Sequence, residues 1–194
     1  VASVITGLGD VTELSASIFF TGFAGLAVGV AFWWSYFDLV AMRAPIATTR
    51  ARYIYNLAQL PLALAITGVG AATVGMIENG SQATTPDATA WLFGAFVALA
   101  MVTLALLMRL LADYERLKSA YQPTVVISLL IAVFALGLAA LDPPPLVLAT
   151  LTFVAMCIQW IYAVIKWLGT TDGEAAVAQA QLPGVLQDAA DPEP

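Results

Sequence analysis

Stretches of about 20 predominantly apolar residues, the length a helix needs to cross a hydrocarbon layer of about 30 Å, recur along the chain. They cover residues 14–37, 53–77, 89–111, 124–141 and 146–168. The connections between them carry charges and helix breakers: 43–52 with Pro45, 78–87 with Gly80 and Pro86, 113–123 with Pro123, and 142–145 with Pro143, Pro144 and Pro145. This alternation predicts an all-α fold, a polytopic transmembrane helical bundle of about five spans. The bundle is expected over residues 1–168. A polar, acidic tail follows at 169–194, where Pro183, Pro192 and Pro194 interrupt any long helix.

Composition removes the soluble alternative. The chain is 61% hydrophobic and 10% charged, against about 45–50% and about 25% in a soluble domain, so too few polar residues remain to cover a water-facing surface. A lipid bilayer is the expected surrounding. The formal net charge of −6 comes largely from the tail, with Asp172, Glu174, Asp188, Asp191 and Glu193. The basic residues form no nucleic-acid footprint. Arg43, Arg50 and Arg52 fall in the first connection, Arg109, Arg116 and Lys118 at or in the third, and Lys166 at the exit of the fifth span. Connections two and four have none, so all seven are predicted on one side, which cytoplasmic retention of Lys and Arg makes the inner one. The tail is then cytoplasmic and residues 78–87 face outward. Trp33, Trp34, Trp91, Trp160 and Trp167 lie near span ends, where amphipathic rings settle at headgroup depth. The opening Val1-Ala2-Ser3-Val4-Ile5 has no basic n-region and reads as a helix entered mid-span, so a longer polypeptide with further amino-terminal helices is expected.

The usual parts of catalytic and metal sites are missing. There is no His and a single Cys157, and no span contains a pair of carboxylates. No cofactor is expected, and a His/Cys metal site or His-ligated haem has no ligands here. Polar side chains inside the spans are then the informative positions, because they are costly in lipid. On the second span Arg52, Asn56, Gln59, Ala63, Thr67 and Gly70 follow the helical period, with Tyr55 beside them. Such a stripe should face protein or water, either as interhelical glue or as the wall of a hydrated pathway. Pro61 removes a backbone donor near Leu57 and predicts a bend beside Gln59. On the first span Ser15, Gly22, Gly25 and Gly29 form a small-residue stripe, predicting close packing at both Gly25 and Gly29. Arg109 and Asp113 stand four residues apart and are expected to pair. Asp38, at the first helix exit, is either solvated or paired with Arg43, Arg50 or Arg52. On the fifth span Gln159, Tyr162 and Lys166 share a side that approaches the inner end.

Two segments together carry a family resemblance: Phe32-Trp33-Trp34-Ser35-Tyr36-Phe37-Asp38, and Arg52-Tyr53-Ile54-Tyr55-Asn56-Leu57-Ala58-Gln59-Leu60-Pro61-Leu62. Their order and spacing resemble the bacterial low-temperature-requirement A (LtrA) family, with its aromatic helix end, basic linker and tyrosine-rich helix start. Gln59 stands where that family commonly has His. The chain resembles roughly the carboxyl-terminal half of such a protein. The resemblance implies a multi-pass bacterial plasma-membrane protein linked to growth in the cold, and it supplies no substrate.

Two functional readings follow. In the first the chain transports or lets through a small solute or ion, along a path lined by Asp38, Arg52, Tyr55, Asn56, Gln59, Pro61 and Thr67. In the second it is a structural or accessory subunit of a membrane complex, its partner being a membrane subunit or the missing helices. A lipid-directed enzyme, the third class, would have only Asp38 and Asp113 near the interface.

Overall fold

The computed structural model describes residues 16–170. The start of the chain, with Ser15, and the acidic tail lie outside these described residues. Five helices follow in order: α1 (Ala16–Tyr36), α2 (Thr49–Glu78), α3 (Asp87–Arg109), α4 (Lys118–Ala139) and α5 (Pro145–Leu168). All five are long and apolar enough to cross a membrane, and among the described residues there is no strand. The bundle predicted from the hydropathy pattern is therefore the fold.

Three boundaries differ from the sequence reading. α1 does not stop at the aromatic run but continues as a π-helical turn, Phe37–Ala41. α2 begins at Thr49, capped by the Thr48 hydroxyl, which accepts from the Ala51 amide at 3.2 Å. Arg50 and Arg52 thus ride on its first turn rather than in the connection. α4 starts at Lys118 and runs through Pro123, whose missing N–H frees a carbonyl at exposed Ser119, near the helix start, where water can satisfy it.

Consecutive helices pack on one another, and α1 closes against α5, so the five form a ring around an apolar core. α3 is the most buried helix, and its seam with α4 is the most extensive in the molecule. Small residues serve that seam: Gly94 abuts Ala135 and Ala139, and Ala90, Ala98 and Ala132 of the same two helices are buried. A Cβ on Gly94 would stand 2.8 Å from the Ala135 carbonyl oxygen. On α1 the expected close packing holds at Gly25, which abuts Thr73 of α2. It does not hold at Gly29, which has open space around it. The one-turn offset along the stripe carries Gly29 out of the α1–α2 contact.

Six Ser and Thr hydroxyls inside the spans are satisfied by their own helices. Thr21, Thr73, Thr103, Thr124, Ser128 and Thr152 each donate to the carbonyl four residues earlier, at 2.7–2.9 Å. In hydrocarbon this removes the penalty of an unpaired donor without a partner helix.

The two ends of the ring differ in charge. At one end the first and third connections join through Ile46 N to Leu110 O at 2.8 Å and Ala112 N to Ala44 O at 3.0 Å. All seven Lys and Arg of the sequence sit at this end. At the other, Thr85 donates its amide and hydroxyl to the Pro143 carbonyl at 3.0 and 2.7 Å, joining connections two and four. The charged side chains at that end, among the described residues, are Glu78, Asp87 and Asp142.

Candidate functional site

A cavity of about 350 Å³ opens at the basic end between the π-helical turn, α4 and α5. Its walls are mostly apolar, from Leu39, Leu117, Ala120, Ala163, Val164 and Trp167. Asp38, Arg43, Tyr121, Thr124 and Trp160 supply the polar groups. The volume and the few convergent polar groups suit a small-molecule site.

Local geometry explains how each group arrives there. The π turn keeps the chain helical past Tyr36, holding Leu39 and Val40 in the core. Asp38 is presented one turn after Trp34. Both reach Trp160 of α5: the Trp34 and Trp160 rings stack at 5.4 Å, and the Trp160 indole N–H donates to Asp38 Oδ2 at 2.6 Å. Single π turns of this kind occur often at functional sites.

Arg43 is held from the far side of the cavity. Its guanidinium pairs with Asp113 Oδ2 at 2.5 Å and lies 5.4 Å from the centre of the Tyr121 ring, which stacks on Tyr114. Asp113 is therefore claimed by Arg43, not by Arg109 as the four-residue spacing suggested. α3 ends at Arg109 and the chain turns at Leu110, so helical spacing no longer relates the two. Asp113 Oδ1 and the Tyr121 hydroxyl are both buried and lie close to each other.

From the cavity a polar line runs inward. Thr124 lines the cavity; Ser128, one turn deeper, donates to its carbonyl at 2.9 Å. Ser128 Oγ in turn accepts from Gln159 Nε2 at 2.8 Å. Gln159 has no exposed surface, and among the described residues its Oε1 has no donor; the Ser35 hydroxyl of α1 is likewise buried and unpartnered. At about 1.5 Å per residue, Ser128 stands about 15 Å from the start of α4, near the middle of an apolar layer about 30 Å thick.

Of the seven pathway residues named from the sequence, only Asp38 reaches this cavity. Its predicted basic partners are replaced by the Trp160 indole. Arg52, Asn56 and Thr67 are exposed on the outer face of α2, and Tyr55 and Pro61 are half-buried. Thr67 donates to the Ala63 carbonyl at 2.9 Å. Gln59 accepts from the Tyr36 hydroxyl at 3.2 Å and reaches the Tyr55 carbonyl at 3.5 Å, so its amide does not serve the carbonyl that Pro61 frees. Gln59 lines a separate groove between α1 and α2 that also takes in Gly29.

The sequence does carry a signal for the remaining members of the site. Tyr121, Thr124 and Ser128 recur at three- and four-residue spacing on one face of α4, as a polar stripe on an otherwise apolar helix should. Gln159 is visible as an amide inside a span. Its sequence neighbours Tyr162 and Lys166 do not join it in the interior but meet one another, Nζ to ring centre 5.8 Å.

Residues 1–160 match the family model described as bacterial low temperature requirement A protein (LtrA). Neither the curated proteins nor the solved structures contain a match to the chain.

Proposed function

The chain belongs to the LtrA family, and from that premise we propose that it is a permeation protein, in which a small solute or ion enters at the basic-end cavity and follows the line Thr124, Ser128, Gln159 into the bundle. The observation that carries this reading is the buried Gln159–Ser128 pair. A carboxamide oxygen left without a donor at mid-membrane depth costs about 1–3 kcal/mol, and a hydrated path or a passing polar solute relieves that cost. The test is flux of monovalent ions and small amines in reconstituted vesicles. Gln159→Leu should lower it on the order of tenfold, since one lost hydrogen bond in the path raises the barrier by about 1.4 kcal/mol. Wild-type vesicles no leakier than protein-free ones, or an unaffected Gln159→Leu protein, would sink the reading.

The accessory-subunit reading keeps one specific support: Asn56 and Thr67 sit on the outer face of α2, where a neighbouring helix or subunit would shield them better than lipid. Chemical cross-linking from a cysteine at Asn56 to a co-purifying protein would favour it over permeation.

We place the basic end, with the cavity mouth, in the cytoplasm of a bacterial plasma membrane, following the retention of Lys and Arg on that side. Single-cysteine labelling in intact cells should then modify position 81 from outside and leave position 119 untouched. Labelling of position 119 alone would reverse the orientation.

A further inference from the structure

Charge at the cavity is unbalanced. Its lining holds two ionised side chains, Asp38 and Arg43. Arg43 is neutralised by Asp113, and one of its faces is taken by the Tyr121 ring. Among the described residues Asp38 has only the Trp160 indole N–H, a neutral donor, while a carboxylate offers about four acceptor positions. The other cations of this end, Arg50, Arg52, Arg109, Arg116, Lys118 and Lys166, do not line the cavity. Among the described residues no cation pairs with Asp38, so its carboxylate is the lining charge that no ion pair matches.

The aromatic wall points the same way. Trp160 is fixed at one edge by its bond to Asp38 and on one face by Trp34. A rigid indole next to a carboxylate attracts cations through the ring quadrupole, and an organic ammonium loses less hydration there than a metal ion does. An anionic headgroup would meet Asp38 and find the Arg43 guanidinium already occupied.

We propose that this cavity binds a small lipophilic monocation, an alkyl- or arylammonium, with its charge against Asp38 and its apolar body against Trp160, Trp167 and Ala163. The proposal deepens the permeation reading by naming the class of solute, but it concerns binding at equilibrium and is tested without flux.

The experiment is a titration of the purified full chain with phenyltrimethylammonium, followed by tryptophan fluorescence, with benzenesulfonate as the anion of similar size. Saturable binding of the cation and none of the anion is expected. Asp38→Asn should weaken binding at least about fivefold, while Asp38→Glu, which keeps the charge, should stay within about twofold. Ala163→Leu leaves every charge in place but fills the cavity, and should abolish binding. Equal binding of cation and anion, or unchanged binding in a helical Asp38→Asn or Ala163→Leu protein, overturns the proposal. A protein that binds the cation but passes nothing across vesicles keeps this site and removes only the permeation reading. One that conducts without binding the cation does the reverse.

Discussion

Gly94→Ala should be among the most damaging single-methyl changes in this chain, costing about 2–3 kcal/mol in unfolding measured in detergent. The added Cβ would stand 2.8 Å from the Ala135 carbonyl oxygen and 3.0 Å from the Ala139 Cβ. Overpacking usually costs about 1–3 kcal/mol because side chains shift, but here the obstacle is backbone, and relief requires α3 and α4 to separate. Their seam is the most extensive helix contact, and in lipid it is held by dispersion between closely approaching backbones rather than by a hydrophobic gain. Gly137, on α4 as well, has nothing within 4 Å of the place its Cβ would occupy, so Gly137→Ala should be neutral or slightly stabilising. Equal stability of the two variants would mean that the α3–α4 approach is looser than the structure has it.

That seam also shows what hydropathy can and cannot convey. Five spans are legible because length and apolar content are properties of a single segment, and a bilayer accepts little else. Which faces meet is a property of pairs. Gly25 and Gly29 look alike in sequence, yet only Gly25 touches a neighbour, since the crossing of α1 and α2 is local and leaves Gly29 beyond it. Pro123 reads as a terminator and is instead carried inside α4, because proline near a helix start forfeits a bond that water replaces.

Of the pathway residues named from the sequence, Asp38 alone joins the site. Asp38 is marked by its place after an aromatic run, but its partner lies 122 residues away, and the π turn that aims it is a change of hydrogen-bond register that no side-chain pattern announces. The α2 stripe is polar and at helical spacing, as its sequence shows. Its orientation cannot follow from spacing, which fixes which residues share a face and not what that face meets. Conversely, Tyr121, Thr124 and Ser128 share a face on α4 that turns inward to α5, and it is the inward direction that makes the buried Gln159 bond possible.

Asp113→Ala should cost about 2–3 kcal/mol, and the size of that loss rests on where the Arg43–Asp113 pair sits. Exposed ion pairs contribute about 0–1 kcal/mol, while removing one partner of a buried pair costs about 3–5 kcal/mol. Side-chain exposures of 21% and 18% put this pair between the two. It also spans 70 residues of sequence and clamps the connection after α1 to the connection after α3, beside the backbone bonds Ile46–Leu110 and Ala44–Ala112. Loosening it should therefore disturb both connections at once. A cycle with Arg43→Ala should return a coupling of about 1–2 kcal/mol, the double variant being more stable than the sum of the single losses implies because no charge is left stranded. Arg109→Ala, which removes the partner that sequence spacing favours, should change stability by less than about 0.5 kcal/mol. The same substitution of Asp113 uncovers the positive charge of Arg43 at the cavity wall, so binding of phenyltrimethylammonium should weaken together with stability, whereas Arg43→Ala should lower stability and leave the cation bound. Additive energies in the cycle, or a larger loss from Arg109→Ala than from Arg43→Ala, would show that Asp113 serves α3 locally and that the two connections are joined by backbone alone.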